Sequence, residues 1–265
     1  MSASGLPSSK LTGACFLVTG SARGIGKAIA EYLCQSGARV VVTDLLSNQE
    51  SLRDFAKSEG ILEGPVGDVA DEAFCARLLD EALRLAGPGG LDGLVNNAGI
   101  GLFTAVLGGT DPAEVQRCFA VNAAAPLRLA QLFAKGRVAE GRPGAIVNIS
   151  SQSSSLVFPN HTAYSTSKAA VDQITRHLAA ELGPHQIRTN AVLPTIVRTE
   201  MGRTAWPDDA PETLGMLKKI PLRRFAEPEE IASVVAFLLD GSRSGMVNGA
   251  LLPVDGGFLC YGGVV

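Results

Sequence analysis

An excess of charge of either sign is missing: 23 lysines and arginines face 26 aspartates and glutamates, for a formal net charge of −3. There is no basic block, so nucleic acid is not an expected partner, because a phosphate backbone is held by clustered cations. No apolar run reaches the roughly 18 residues of a membrane span, and no membrane partner is expected. The opening MSASGLPSSK is polar and poor in arginine. It lacks the marks of a signal or transit peptide and reads as a flexible tail over residues 1–10. The five cysteines are odd in number, and none stands in a C-x-x-C pair. That argues against a disulfide framework and suggests small buried hydrophobes in a reducing compartment, the cytoplasm. His161, His177 and His185 lack ligand spacing with carboxylates or cysteines, so no metal site is expected.

What is present is apolar. Of 265 residues, 46% are hydrophobic, enough for a sizeable core, so the 30 glycines point to tight turns rather than disorder. Unbroken apolar runs recur at Cys15–Thr19, Arg39–Thr43, Gly93–Asn96, Ala145–Ser150, Arg188–Leu193 and Leu251–Val254. Such runs fit strands buried on both faces, as in a parallel sheet. Amphipathic stretches of helical length lie between them, at Gly24–Ser36, Asp71–Leu85, Pro112–Val138, Thr162–Leu182 and Pro228–Leu239. Asp71 suits an N-cap and Pro228 a first turn. The alternation predicts an α/β, doubly wound single domain over residues 11–265. One stretch breaks the rhythm: residues 197–220, with Met201 and Trp206. A connection this long in a compact domain reads as a substrate lid.

The stretch LVTGSARGIGKAIAEYL follows the first predicted strand and opens a helix. Thr19 and Gly20 turn the chain, and Arg23, Gly24, Ile25 and Gly26 start the helix. Missing side chains let a pyrophosphate approach the helix N-terminus, where free N–H groups attract anions. The second strand ends in Asp44. A carboxylate there accepts hydrogen bonds from the ribose hydroxyls of NAD and repels the 2′-phosphate of NADP. Arg23 is the counter-argument, as a possible phosphate partner. NAD is the expected cofactor, with NADP less favoured. Asp68 and Val69 follow a third strand, and Asn96, Asn97, Ala98 and Gly99 follow a fourth. All lie where open sheets bind ligands, and read as walls of the cofactor site.

In AYSTSKAAVDQ, Tyr164 and Lys168 stand four apart on one predicted helix face. A phenol ordinarily titrates at roughly 10. A neighbouring ammonium is expected to lower that value and let the tyrosine exchange a proton with an alcohol. Ser151, at the end of the IVNISS strand, can hydrogen-bond a substrate oxygen. Pro126 interrupts a helical pattern and lacks an N–H, so the carbonyl of Asn122 is expected to be free to hold a water leading to Lys168.

In order along the chain, TGSARGIG, NNAG, Asn122, Ser151, YSTSK and PTIVRT resemble the short-chain dehydrogenase/reductase family, over about Leu11 to Gly257. The resemblance implies a Rossmann-type domain with a seven-stranded parallel sheet, hydride transfer with a nicotinamide cofactor, and a homotetramer. It implies a catalytic tetrad of Asn122, Ser151, Tyr164 and Lys168. It also implies that the Ile196 backbone and the Thr199 hydroxyl, just after Pro194, hold the nicotinamide carboxamide. Thr195 departs from the family, which generally has glycine after Pro194. Within the family, SSQ, NHTAYSTSK and PTIVRTEMGRTAW are most similar to the dicarbonyl/L-xylulose reductases. By that resemblance Gln152, His161 and Trp206 join Ser151 and Tyr164 in the substrate pocket. Those reductases use NADP, in conflict with Asp44.

The expected activity is hydride transfer between NAD(H) and a secondary alcohol or ketone: a polyol, a sugar or a small dicarbonyl. Two rivals stand. One is the same chemistry on a 3-oxoacyl thioester or steroid, for which Lys218, Lys219, Arg223 and Arg224 offer a small basic patch. The other is a nucleotide-binding scaffold without turnover.

Overall fold

Strand-forming runs rich in Val, Ile and Leu pair as seven parallel strands in the order β3-β2-β1-β4-β5-β6-β7. These are β1 (Cys15–Thr19), β2 (Arg39–Thr43), β3 (Ile61–Glu63), β4 (Gly93–Asn96), β5 (Gly144–Ile149), β6 (Ile187–Pro194) and β7 (Leu251–Val254). The computed structural model describes residues 9–57, 60–107 and 109–261. The expected tail over 1–10 therefore lies mostly outside the described residues. Its last two positions are tethered: the Ser9 hydroxyl donates to Asp240 at 2.8 Å and the Lys10 N–H at 3.2 Å.

Both sheet faces are buried, which explains why the strands show no polar alternation. Phe16, Val18, Val40, Val42 and Val147 face one layer, where α1 (Gly24–Gln35) packs against α9 (Pro228–Leu239). Leu17, Val41, Leu94, Ile146 and Ile187 face the other, built on α3 (Glu72–Ala86), α5 (Ala125–Ala139) and α6 (Thr162–Leu182). The side chain of Asp71 caps α3 by accepting from the Ala73 N–H at 2.9 Å. Pro228 opens α9 behind a capping box of Glu227 and Glu230. A further helix, α2 (Gln49–Ala56), covers the β2–β3 connection.

The helical pattern predicted over Pro112–Val138 is one continuous path in three parts. α4 (Pro112–Phe119) runs into a π-turn over Ala120–Ala124 and then into α5. The Ala125 N–H donates to the Ala120 carbonyl five residues back. The π-turn lies just before Pro126, whose missing N–H makes a regular ladder impossible there.

The stretch expected to form a lid folds as α7 (Glu200–Ala205) and α8 (Pro211–Lys219), tied to the body by a parallel bridge between Val197 and Ala226. Met216, Ile220 and Phe225 form a small core beneath it, with Trp206 packed alongside. Strand order reverses between β1 and β4, so a crevice opens above their carboxyl ends, the usual ligand position in such sheets.

Candidate active site

The floor of the crevice is stitched by two residues at the reversal point. The Thr19 hydroxyl accepts from the N–H groups of Asn97 (3.1 Å) and Ala98 (3.0 Å). The Asn97 amide donates to the carbonyls of Thr19 (2.9 Å) and Gly20 (2.8 Å). Gly20 has φ +64°, and a Cβ there would sit 2.8 Å from the Ala98 Cα. The turn thus needs glycine for both conformation and space.

Two cavities meet on this floor. One, of about 460 Å³, is lined by Gly20, Arg23, Gly24, Asp44, Asp68 and Val69. The other, of about 500 Å³, is lined by Ser151, Gln152, Tyr164, Lys168, Ile196 and Trp206. They share Ile25, Asn97, Gly99, Ile100, Gly101 and Thr199, and so form one elongated crevice.

Most of the residues picked out in the sequence line it, Ala98, Pro194 and His161 included. Asn96 does not. Its side chain is buried and donates to Asn148 at 2.8 Å and to the Pro126 carbonyl at 3.3 Å. Asn96 shares the sheet face of Leu94, two residues earlier, which packs on the α5 layer. Strand parity therefore turns it inward and leaves Asn97 as the lining residue. That parity was the available signal. Gly26 also lies behind the crevice wall rather than on it. A Cβ there would collide with the Gly20 carbonyl, so this glycine serves the close packing of helix on loop.

At the Asp44 end the carboxylate accepts from Ala22 N–H (2.8 Å), Leu45 N–H (2.8 Å) and the Asn48 amide (2.7 Å). It thereby holds the glycine loop as well as facing the cavity. Arg23 is largely exposed, 4.0 Å from Glu200. Asp68 pairs with Arg117 at 2.5 Å. Thr199 caps α7, its hydroxyl accepting from Gly202 N–H at 3.0 Å.

At the other end the lysine and tyrosine share a helix face as their spacing requires, but the electrostatics differ from expectation. The Lys168 ammonium lies over the Tyr164 ring, 5.8 Å from its centre. It donates to the Ile149 carbonyl at 2.9 Å. Burial pushes the Tyr164 phenol up, and the Ser151 hydroxyl opposes that rise. Burial also lowers Lys168 itself from 10.5 to about 8, against the smaller opposing influences of Cys118 and Asp172. Desolvation, not the cation, dominates both groups.

The Asn122 carboxamide is fully committed. Its oxygen accepts from the Ile100 N–H at 2.8 Å, and its nitrogen donates to the Ile100 carbonyl (2.9 Å), Ser167 (3.0 Å) and the Cys118 sulfur (3.4 Å). The Ser167 hydroxyl in turn donates to the Tyr164 carbonyl at 2.7 Å. One chain of bonds thus ties the Gly99–Gly101 wall to the helix that carries Tyr164. Ser167 escaped the sequence reading, where it is only one of several small residues in the segment. We expect Ser167→Ala to lower kcat about tenfold, with KM for the carbonyl substrate held. Because a smaller folded fraction would also lower apparent kcat at constant KM, kcat is taken per folded molecule, counted by circular dichroism and size-exclusion chromatography.

Gly99 stands where a Cβ would lie 3.3 Å from the Asn122 side-chain oxygen and 3.4 Å from the Lys168 nitrogen. A bare backbone there, in a crevice open from Asp44 to Tyr164, fits a flat ring and its ribose. The residues present therefore fit a dinucleotide. Among the described residues, no group of His, Cys, Asp or Glu is placed to hold a metal ion. Nor, among the described residues, is any helix long and apolar enough to cross a membrane.

A family profile described as enoyl-(acyl carrier protein) reductase matches residues 20–259. The chain is 44% identical over 250 residues to an L-xylulose reductase of Mus musculus, covering 94% of this chain and 98% of that protein. It is 41% identical over 243 residues to a D-erythrulose reductase of Gallus gallus, covering 92% and 94%. Its backbone matches a gluconate 5-dehydrogenase from Burkholderia cenocepacia J2315, solved with NADP and tartrate, with a TM-score of 0.84. Identity there is 32%, and coverage is 94% of this chain and 96% of that one.

Proposed function

The chain belongs to the short-chain dehydrogenase/reductase family, and from that premise we propose that it moves a hydride between NAD(H) and a secondary alcohol or ketone of the sugar, polyol or small-dicarbonyl kind. One observation carries the reading: the cleft from Asp44 to Tyr164 is continuous, so one ligand can reach both ends. The glycine loop, Asp44, Asp68, Val69, Gly99 and Thr199 would hold the dinucleotide. It would supply the hydride donor or acceptor carbon.

In the reducing direction Tyr164 would give its proton to the carbonyl oxygen while the carbonyl carbon takes the hydride that the bound dinucleotide would supply. Ser151, already the phenol's partner, fixes that oxygen. Tyr164 is protonated when its pKa is high, which suits an acid for reduction. Lys168 stabilises the phenolate that remains and holds ribose hydroxyls with its free N–H groups. Proton return runs through Lys168 and a water on the main-chain carbonyl of Asn122, since that residue's carboxamide is committed elsewhere.

We favour NAD because the Asp44 carboxylate, fixed by three donors, lines the crevice where a ribose would lie. Asp44→Asn is expected to lower the ratio of kcat/KM with NAD to that with NADP about tenfold. Steady-state assays with both cofactors read the ratio, and an unchanged ratio removes Asp44 from cofactor choice. Of the basic patch, Arg224 is bound bidentately by Glu230 at 2.6 and 2.7 Å, which weakens the acyl-thioester rival. The cytoplasm is the proposed compartment, supported by five free cysteines. A homotetramer is proposed from the family resemblance; the apolar groove between α5 and α6, with Val138 and Ile174, suits a subunit contact. A carbonyl and polyol panel with NAD(H) and NADP(H) side by side tests the whole reading. Dinucleotide binding with no turnover on any member would favour the scaffold.

A further inference from the structure

The buried face of α6 carries one ionisable side chain that the reaction above does not use. Its middle turns bury Ser167, Lys168, Val171, Asp172 and Thr175. Asp172 follows Lys168 by four, so the two stand one turn apart on the same face. Asp172 is 5% exposed, and one of its carboxylate oxygens is buried without a partner. The obvious cation for it is Arg176, one turn further on, but that guanidinium donates to the Gln173 side chain at 3.2 Å. The bond of the Lys168 ammonium goes to the Ile149 carbonyl.

A carboxylate so placed costs the fold stability. Burial pushes its pKa up, against the hydroxyls of Ser150 and Ser154 and then the charges of Arg176 and Lys168. Those two serines bracket Ser151. The Ser150 hydroxyl donates to the Lys168 carbonyl at 3.2 Å, and the Ser154 hydroxyl to the Ser151 carbonyl at 2.8 Å. Asp172 thus sits where the helix turn of Lys168 meets the turn of Ser151. The ammonium itself is lowered by burial to about 8, and the influences opposing that fall are those of Cys118 and Asp172. Cys118, on α4, donates its thiol hydrogen toward Ser167 at 3.6 Å, and a thiol carries no charge. Asp172 is the carboxylate of the group.

Resting on the hydride-transfer reading above, we propose that Asp172 is a positioning residue for it: its carboxylate is the counter-charge that keeps the Lys168 ammonium protonated, and so able to stabilise the Tyr164 phenolate, at neutral pH. The influence passes through the protein interior, where little water screens two charges one helical turn apart. The unpartnered oxygen fits that task. A carboxylate matched by its own bidentate cation would be neutralised there and lend Lys168 little.

Asp172→Asn keeps the shape and removes the charge, and two readouts on the purified full chain test it. The first is the pH profile of kcat/KM, at saturating reduced dinucleotide, for whichever carbonyl of the panel turns over fastest. Its alkaline limb should move down by about half a pH unit or more, because an ammonium without its counter-charge loses its proton sooner. The second needs no turnover. With Lys168→Met as the reference in each background, the pH at which urea stability begins to climb should fall by about the same amount. A limb that stays in place, or a stability window that does, overturns the proposal. So does an Asp172→Asn chain that fails to fold, since the carboxylate would then serve the packing. If no carbonyl turns over in the parent with either cofactor, the hydride-transfer reading fails and the catalytic role of Asp172 with it. The stability window then still reports whether Asp172 sustains the ammonium.

Discussion

Replacing Tyr164 with phenylalanine should cut kcat/KM by roughly 10²–10⁴-fold, the range a positioned acid or base contributes. The ring's packing against Phe103 and beneath Lys168 survives the change, so the loss reports the hydroxyl alone. Affinity for reduced dinucleotide should hold, because the floor and the Asp44 end are untouched. Fluorescence titration with NADH, alongside the assay, checks both halves. Activity within tenfold of the parent would remove Tyr164 from the chemistry.

Lys168→Met should abolish most turnover and also change how stability depends on pH. A fall from 10.5 to about 8 corresponds to roughly 3 kcal/mol of penalty on the buried ammonium. Below pH 8 the lysine is charged in folded and unfolded chain alike, and the penalty is present in full. Between pH 8 and 10.5 the folded protein sheds the proton while the unfolded chain keeps it. The unfolded state then binds more protons, so stability rises with pH in that window. Tyr164, pushed up by burial, acts in the opposite sense above pH 10, but it is common to both proteins. The stability of the parent relative to Lys168→Met should therefore rise by about 2 kcal/mol between pH 7.5 and pH 10. Urea midpoints at fixed protein concentration measure it, and a flat difference would mean that the ammonium is not desolvated.

The contrast between expected and observed electrostatics shows which features a sequence can reveal. Spacing put Tyr164 and Lys168 on one helix face, because helical geometry depends only on position along the chain. It did not reveal that the ammonium lies over the ring, because that depends on how deep the helix sits against Ile149 and Ser150. The sheet was legible from its apolar runs, since strands covered on both faces leave no room for alternation. The same uniformity hid the parity that turns Asn96 inward and Asn97 toward ligand. Pro126 announced a disturbed ladder, and the π-turn is how the chain accommodates it. Phe103 lay in a loop, where no period marks which side chains will meet. Ser167 needed the tertiary contact with Asn122 before its link to Tyr164 could be seen.

The stitching of Thr19 to Asn97 and Ala98 has a kinetic corollary. Four short bonds weld the two halves of the sheet where the dinucleotide would rest. The halves cannot part like a hinged book to let a spent ligand out. Release would then run past α7, the roof whose Gly202 and flanking Trp206 line the crevice. Turnover would then be governed by how often that roof lifts, and solvent viscosity should slow the enzyme even where the chemical step is fast.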